Sequence, residues 1–399
     1  MKSGQWLRGL LVGLVLLASS VPASAAVTLL DKDGMSVTTD AFFNTFYVYS
    51  SSDKNDDYEK LLGGEDRDQS RVKMGFLPNY IGFNFSKQVD DSMKVGGRSS
   101  FWVTINDSEE NVTSTGIDVR QFYGTVDGDW GQLLIGKDFG LFCRSNIFLD
   151  EILMGYGNVS DTLGLIDGGG VSFGNIGTGY VYPFPNAQIT YRSPVLSGFR
   201  LAVGIVDPAH TADNFDTAVV PEENAPQFQG ELTYLYSFDQ GSVTAWAGFL
   251  QQTSEDAGDS DAEIDSKGFS YGLQAKYAGL TLHASGFDAS GVGFLLGPGV
   301  DNTLGLPLVE DADGDEVDSN GYLLQAAYTT GPHRLVASYG RNKLETNPDE
   351  WENETVTGAY FYTFNDHLKV VAEYNVNTIS IGDAEEETDT IALGGIISF

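Results

Sequence analysis

Past its first 25 residues the chain repeatedly sets apolar against polar positions with a period of two, the side-chain period of an extended strand rather than of a helix. In the last segment Ile391, Leu393, Gly395, Ile397 and Phe399 share one face, with Ala392, Gly394 and Ser398 on the other. Leu368, Val370, Ala372, Tyr374 and Val376 alternate with Lys369, Glu373, Asn375 and Asn377. Phe269, Tyr271, Leu273, Ala275 and Tyr277 alternate with Ser270, Gly272, Gln274 and Lys276, and the same holds for Phe228 to Tyr236 and for Phe199 to Ile205. Each segment is about ten residues long, the length a tilted strand needs to cross a bilayer. The minor face carries Lys, Arg, Glu and Asn, as a wet interior requires. Tyr or Phe closes many strand tips on the major face, like an interfacial aromatic girdle. Lipid offers no partner to an unpaired sheet edge, so such strands must close on themselves. The pattern predicts an all-β fold, a transmembrane antiparallel up-and-down β-barrel.

Connections alternate in length as well. Asp90-Asp91-Ser92, Asp127-Gly128-Asp129, Leu196-Ser197-Gly198, Asp239-Gln240-Gly241, Ala278-Gly279, Gly331-Pro332 and Asn365-Asp366 read as tight turns, and long polar stretches such as Ser254 to Lys267 and Gly297 to Ser319 separate them. Short turns at one end and long loops at the other are the outer-membrane arrangement. Counting from Ser36 to Phe399 predicts about sixteen strands with both termini on the short-turn side. The second strand is out of phase with itself: Val72, Met74 and Phe76 share one parity and Ile81, Phe83 and Phe85 the other, so a bulge is expected at Pro78.

The chain begins with a secretory grammar: Lys2 and Arg8, an apolar run from Leu10 to Ala18, and the small residues Ala23-Ser24-Ala25. Residues 1–25 are expected to be a signal peptide cleaved after Ala25, and 26–399 one barrel domain. Leu10 to Val21 is too short to span a bilayer as a helix, and no run of about 18 apolar residues follows. The formal net charge of −34 argues against nucleic acid, whose phosphates would be repelled, and suits the attraction of cations. The single cysteine, Cys143, excludes an internal disulfide.

The run from Arg120 to Phe142 (RQFYGTVDGDWGQLLIGKDFGLF) resembles the strand–turn–strand that feeds the constriction loop of the trimeric general diffusion porins. Ile189 to Phe199 (ITYRSPVLSGF) is similar to the strand and turn after that loop, and Ser70-Arg71 and the terminal Phe399 fit the same family. The resemblance implies an outer-membrane homotrimer whose third loop folds into the lumen, acids on the loop facing a basic wall. Here that loop would run from about Cys143 to Tyr180, with Asp150, Glu151, Asp161 and Asp167 as the acidic side. Ile147, Glu151 and Met154 suggest a helical start. Arg71, Arg120 and Arg192 are the family's basic wall carried onto this chain. Lys73 lies opposite Val72 and Met74, and Arg98, from alternation alone, shares a face with Lys94, Ser100 and Thr104. Such charges would polarise water and orient dipolar solutes. The resemblance further implies recognition of the last strand, ending in Phe399, by the barrel-assembly machinery.

Other candidate chemistry is weaker. Asp311-Ala-Asp313-Gly-Asp315 begins like a calcium loop, but Glu316 stands where glycine is required and Tyr322 at the twelfth position. Acids gather at Asp107 to Glu110, Glu255 to Asp265, Glu310 to Asp318, Asp349 to Glu354 and Asp383 to Glu387, a rim able to concentrate cations or to bridge to lipopolysaccharide through divalent ions. His210, His283, His333 and His367 lack metal-ligand spacing. No cofactor, metal site or catalytic constellation is expected, and the chain is not read as an enzyme. The expected function is passive, cation-preferring diffusion of ions and small hydrophilic solutes. The alternatives are a channel selective for a sugar, peptide or organic acid, with Trp102, Phe122 and Trp246 as a binding track, and a plugged adhesion or anchoring barrel.

Overall fold

The computed structural model describes residues 26–106, 117–209, 221–256, 263–298, 316–346 and 349–399. The leader, the acids Asp107 to Glu110 and Asp311 to Asp315, and His210 lie outside these residues. The strands in chain order are β1 (Val27–Lys32), β2 (Met35–Lys54), β3 (Arg67–Lys73), β4 (Asn79–Gln88), β5 (Met93–Val103), β6 (Ile117–Gly128), β7 (Gly131–Phe139), β8 (Pro185–Arg192), β9 (Phe199–Val206) and β10 (Pro221–Glu222). They continue with β11 (Gln227–Phe238), β12 (Gly241–Asp256), β13 (Glu263–Tyr277), β14 (Leu280–Ser290), β15 (Asp318–Thr330), β16 (His333–Glu345), β17 (Trp351–Asn365), β18 (Leu368–Ile381) and β19 (Ala384–Ser398). Two short helices, α1 (Asp56–Leu61) and α2 (Arg144–Phe148), complete the described elements.

These segments make a closed antiparallel barrel of sixteen staves. The last strand pairs with β2 from Ser398↔Phe42 to Glu386↔Lys54, and Ala41 and Phe399 exchange backbone hydrogen bonds at 2.7 and 3.1 Å. Strands β3 and β4 share one stave, since β2 pairs first with β4 and then with β3. The short β1 only extends the start of β2, and β10 only the end of β12. The expected tight turns all join staves at one end. Gln240 and Ala278 adopt positive φ of 65° and 47° there, the left-handed geometry of two-residue hairpins.

Burial is inverted relative to a water-soluble fold. Leu393 and Leu273 are 51% and 49% exposed, whereas Asn375 and Gln274, on the other face of the sheet, are 1% and 3% exposed. An apolar face turned outward all round a closed barrel is the solution for a lipid solvent.

Two irregularities re-aim side chains inward. Residues 74–78 interrupt the second stave around the expected Pro78 position, and Arg67, Gln69, Arg71 and Lys73 before the break share the inner face with Tyr80 and Gly82 after it. Asn44 on β2 catches the freed backbone: Gly75 N–H donates to its Oδ1 and its Nδ2 donates to Leu77 C=O, both at 2.6 Å. A register shift between Ser100 and Trp102 of β5 lets both Arg120 and Gln121 of β6 serve the inner side.

Residues 140–184 connect β7 to β8 with little regular structure. Their apolar side chains, among them Ile147, Ile152, Tyr156, Ile166 and Tyr180, pack against inner-face Phe42, Phe46, Trp102 and Leu323 and against Phe294 and Leu295 from the β14–β15 connection. The inner-face residues in contact with this segment are thus the apolar members of an otherwise largely polar face. The expected helical start is shorter than its spacing suggests. Helix α2 ends at Phe148, turns follow, and Cys143 precedes it with φ 56°, so Asp150 and Glu151 do not extend one helical face.

Candidate functional site

The backbone of segment 140–184 is held by side chains that the alternation places on the inner face of strands spread round the ring. Leu141 and Phe142 N–H groups donate to Gln229 Oε1 of β11, at 2.6 and 3.0 Å, and Ser145 N–H donates to Glu231 Oε1 at 2.9 Å. Glu373 of β18 accepts from Tyr156 N–H at 2.9 Å and from Gly157 N–H. Glu386 of β19 accepts from Asp161 N–H at 2.7 Å and Thr162 N–H at 2.8 Å. Carboxylates thus satisfy amides of an irregular segment that has no ladder of its own.

The four acids on this segment separate into three environments. Asp161 is paired with Arg67 of β3 and, at 2.8 Å, with Lys54 of β2. Asp167 is paired with Arg71 at 2.6 Å and Arg67 at 2.5 Å, and accepts from Gln69 at 3.0 Å. Burial pushes both carboxyls up, but Arg67 with Lys54, and Gln69 with Arg67 and Arg71, outweigh it and hold both below the usual carboxylate range. Asp150 is buried with no cation partner among the described residues and accepts from Tyr180 Oη at 2.7 Å, Gln325 Nε2 at 2.7 Å and Asn175 Nδ2 at 2.9 Å. Burial raises its pKa despite those donors. Glu151 pairs with Arg334 of β16 and accepts from Gln274 of β13 at 2.7 Å.

The sequence-selected basic residues are also spoken for. Lys73 is buried and donates to Leu165 and Ile166 C=O at 2.6 and 3.1 Å, clamping the segment. Arg98 makes two parallel bonds to Asp40, at 2.7 and 2.9 Å, a fork–fork pair, and also reaches Asn84 and Gln121. Arg120 pairs with Asp118 at 2.7 Å, donates to Tyr182 Oη at 2.8 Å and lies 5.0 Å over the Trp102 ring. Arg192 pairs with Asp138 at 3.1 Å, which Arg144 also approaches at 3.4 Å. The geometry brings Asp167 and Arg71 together directly. Arg98, Arg120 and Arg192 are instead paired with wall acids from their own side.

Several residues escaped the sequence reading. Arg67 shares the parity of Arg71 and Lys73 and was findable on that ground. Lys54, Arg334, Glu373 and Glu386 carry no motif; only the packed segment distinguishes them from other inward polar residues. Phe122 departs from the expected track: it is 63% exposed on the outer face, because the β5–β6 register shift turns it toward lipid. Trp102 and Trp246 are inward and buried, with Trp246 Nε1 donating to Asn146 at 2.8 Å. His283 is buried against Trp246 and bonds Ser285 at 2.9 Å. Among the described residues no group of His, Cys, Asp or Glu could hold a metal ion.

Known proteins agree with this architecture. Outer membrane protein U of Vibrio parahaemolyticus is 23% identical over 331 residues, covering 81% of this chain and 79% of that protein. The outer membrane channel DcaP of Acinetobacter baumannii superposes with a TM-score of 0.66 at 18% identity, covering 94% of this chain and all of that one. An anion-selective porin from Comamonas acidovorans superposes at 0.63 and 13% identity over 92% of this chain and all of that one. The sequence model of the Gram-negative porins matches residues 13–380. A closed sixteen-stave barrel, apolar outside and polar within, is thus matched along most of its sequence by one family: the chain belongs to the Gram-negative porins, as a multi-pass β-barrel of the outer membrane.

Proposed function

We propose that the barrel is a water-filled channel for passive diffusion of ions and small hydrophilic solutes, narrowed by segment 140–184 lying across its lumen. One observation carries this reading. The acids Asp161 and Asp167 are fastened to Lys54, Arg67 and Arg71 on one stretch of wall, while Glu151 of the same segment is fastened to Arg334 on β16. Ties from one segment to inner faces on separate staves of a closed ring support a position across the lumen.

Cation preference is the expected selectivity. The wall arginines Arg98, Arg120 and Arg192 each face a partner carboxylate, so their charge is offset locally. The net charge of −34 leaves an acidic excess, part of it at Asp349 to Glu354 and Asp383 to Glu387 near the long-loop end. The barrel is expected to work as a homotrimer, as the trimer form of OmpT from Vibrio cholerae, of like fold, does. Cleavage of the leader after Ala25, assembly through the strand ending in Phe399, and divalent bridging to lipopolysaccharide complete the proposal.

Planar-bilayer recording tests it. Ohmic, non-saturating currents in potassium chloride, with a reversal potential favouring potassium, are expected. Absence of conductance would overturn the channel in favour of a plugged barrel, and a chloride-favouring potential would overturn the cation preference alone.

A further inference from the structure

Residues 291–298, the start of the connection from β14 to β15, turn inward along the wall. Gly291, Gly293 and Gly297 hold positive φ of 62°, 80° and 94°, left-handed geometry that bends the chain sharply and that a side chain would strain. The turn is tied at its root: Ser266 of β13 donates to Gly291 C=O at 2.5 Å, and Gly291 N–H donates to Val317 C=O at 3.0 Å. Val292, Phe294 and Leu295 are fully buried. They belong to one apolar cluster with Leu323 of β15 and Leu344 of β16, both on the inner face, and with the side chains of segment 140–184.

That segment meets the turn directly. Tyr182 N–H donates to Leu295 C=O at 3.0 Å. Asn342 of β16 fastens both to the wall: its Oδ1 accepts Gly179 N–H at 2.7 Å, and its Nδ2 donates to Phe294 C=O at 2.6 Å and Tyr180 C=O at 3.3 Å. One buried amide thus serves three backbone groups from two irregular stretches that have no ladder of their own. Glycine makes room for the approach. A Cβ at Gly340 would run into Thr178 C=O, and one at Gly177 into the Leu295 side chain.

We propose that residues 291–298 are a second narrowing element of the channel, a strap locked onto segment 140–184, and that Asn342 is the positioning residue that sets it. The inference rests on the channel reading. Val292, Phe294 and Leu295 occupy space beside the inner faces of β15 and β16, on the same side of the ring as Asn342. Apolar bulk excludes volume without attracting ions, so the strap governs how large a solute passes rather than which charge it carries.

A size-limit measurement tests it. The full-length barrel is reconstituted in liposomes, and swelling rates are compared for glucose and for the trisaccharide raffinose. F294A/L295A and N342A are each expected to raise the raffinose-to-glucose ratio at least about twofold, because pore diameter limits the entry of neutral solutes. F294L/L295M keeps the apolar bulk and is expected to keep the parent ratio. An unchanged ratio in F294A/L295A would overturn the strap even where thermal stability falls, and an unchanged ratio in N342A would overturn the role of Asn342. Should F294A/L295A fail to fold, V181C/G297C on a C143A background decides. These positions lie side by side, since a Cβ at Gly297 would sit 3.6 Å from Val181 Cγ1. Oxidation is expected to join them, seen as a shifted gel mobility, with the swelling ratio unchanged; no cross-link, or a changed ratio once it closes, would overturn the strap. A parent barrel impermeable to both sugars would sink the channel reading, whereas a permeable parent with unmoved ratios in the variants sinks the strap alone.

Discussion

The Glu373 carboxylate on β18 accepts the Tyr156 backbone N–H at 2.9 Å, and its other oxygen takes the neighbouring Gly157 N–H. One inner-face side chain thereby fixes the middle of an irregular segment 217 residues away in sequence. Replacing Glu373 by glutamine leaves only one oxygen to accept and presents an amide N–H₂ to an amide N–H. E373Q is expected to lose about 1–3 kcal/mol of anchoring, seen as a lower temperature of the heat-modifiable mobility shift and noisier single-channel currents. An unchanged current trace would show that Glu373 is incidental to the segment's position.

A second set of ties, from Asp161 and Asp167 to Lys54, Arg67 and Arg71, has an acid dependence of its own. Both carboxyls sit below their ordinary value in the folded protein, Asp161 chiefly because Arg67 and Lys54 overcome the cost of burial. Groups with depressed folded values add stability that is complete above the unfolded value of about 3.9 and vanishes as pH falls through the folded ones. The part of the anchoring supplied by these two carboxylates is therefore expected to persist from neutral pH down to about pH 4 and to be lost only in stronger acid. D161N/D167N should already be noisy at pH 7, with a flatter acid limb. Recordings across that range check both statements.

Asn44 spans the break in the second stave with two 2.6 Å hydrogen bonds to Gly75 and Leu77. N44A would strand a buried donor and a buried acceptor at once, for a loss of about 2–4 kcal/mol. N44D keeps the acceptor for Gly75 but not the donor for Leu77 and should fall between. Guanidinium unfolding followed by tryptophan fluorescence gives the order, and N44A as stable as the parent would remove Asn44 from this role.

Arg98 and Asp40 form a paired fork across β2 and β5, with a shortest contact of 2.7 Å. R98A leaves Asp40 uncompensated and should shift the reversal potential further toward cations, whereas R98A/D40A should return it near the parent value. The double mutant isolates the pair because each change alone alters net charge. A single-mutant potential equal to the parent's would place the pair away from the ion path.

Alternation alone was enough to read the barrel, because in a strand crossing lipid every second side chain meets hydrocarbon and must be apolar. Ile391, Leu393 and Ile397 identify the outer face of β19 without any tertiary information, and the tight turns at Ala278-Gly279 and Gly331-Pro332 set the count of staves. The break near Pro78 was visible as a change of parity. The partners of the charged residues were not visible. Arg98 reads the same in sequence whether it faces open water or Asp40, and Glu373 the same whether it lines a pore or caps Tyr156. Those outcomes depend on where residues 140–184 come to rest, an irregular segment with no period to read. Its position is decided by packing of Ile152, Tyr156 and Tyr180 against Phe46 and Leu323, contacts that exist only after the barrel has closed. The sequence by itself therefore determined the wall, because lipid acts on every residue of a strand locally. Only the tertiary structure decided which charges are paired with which, because pairing is set by neighbours far apart in the chain.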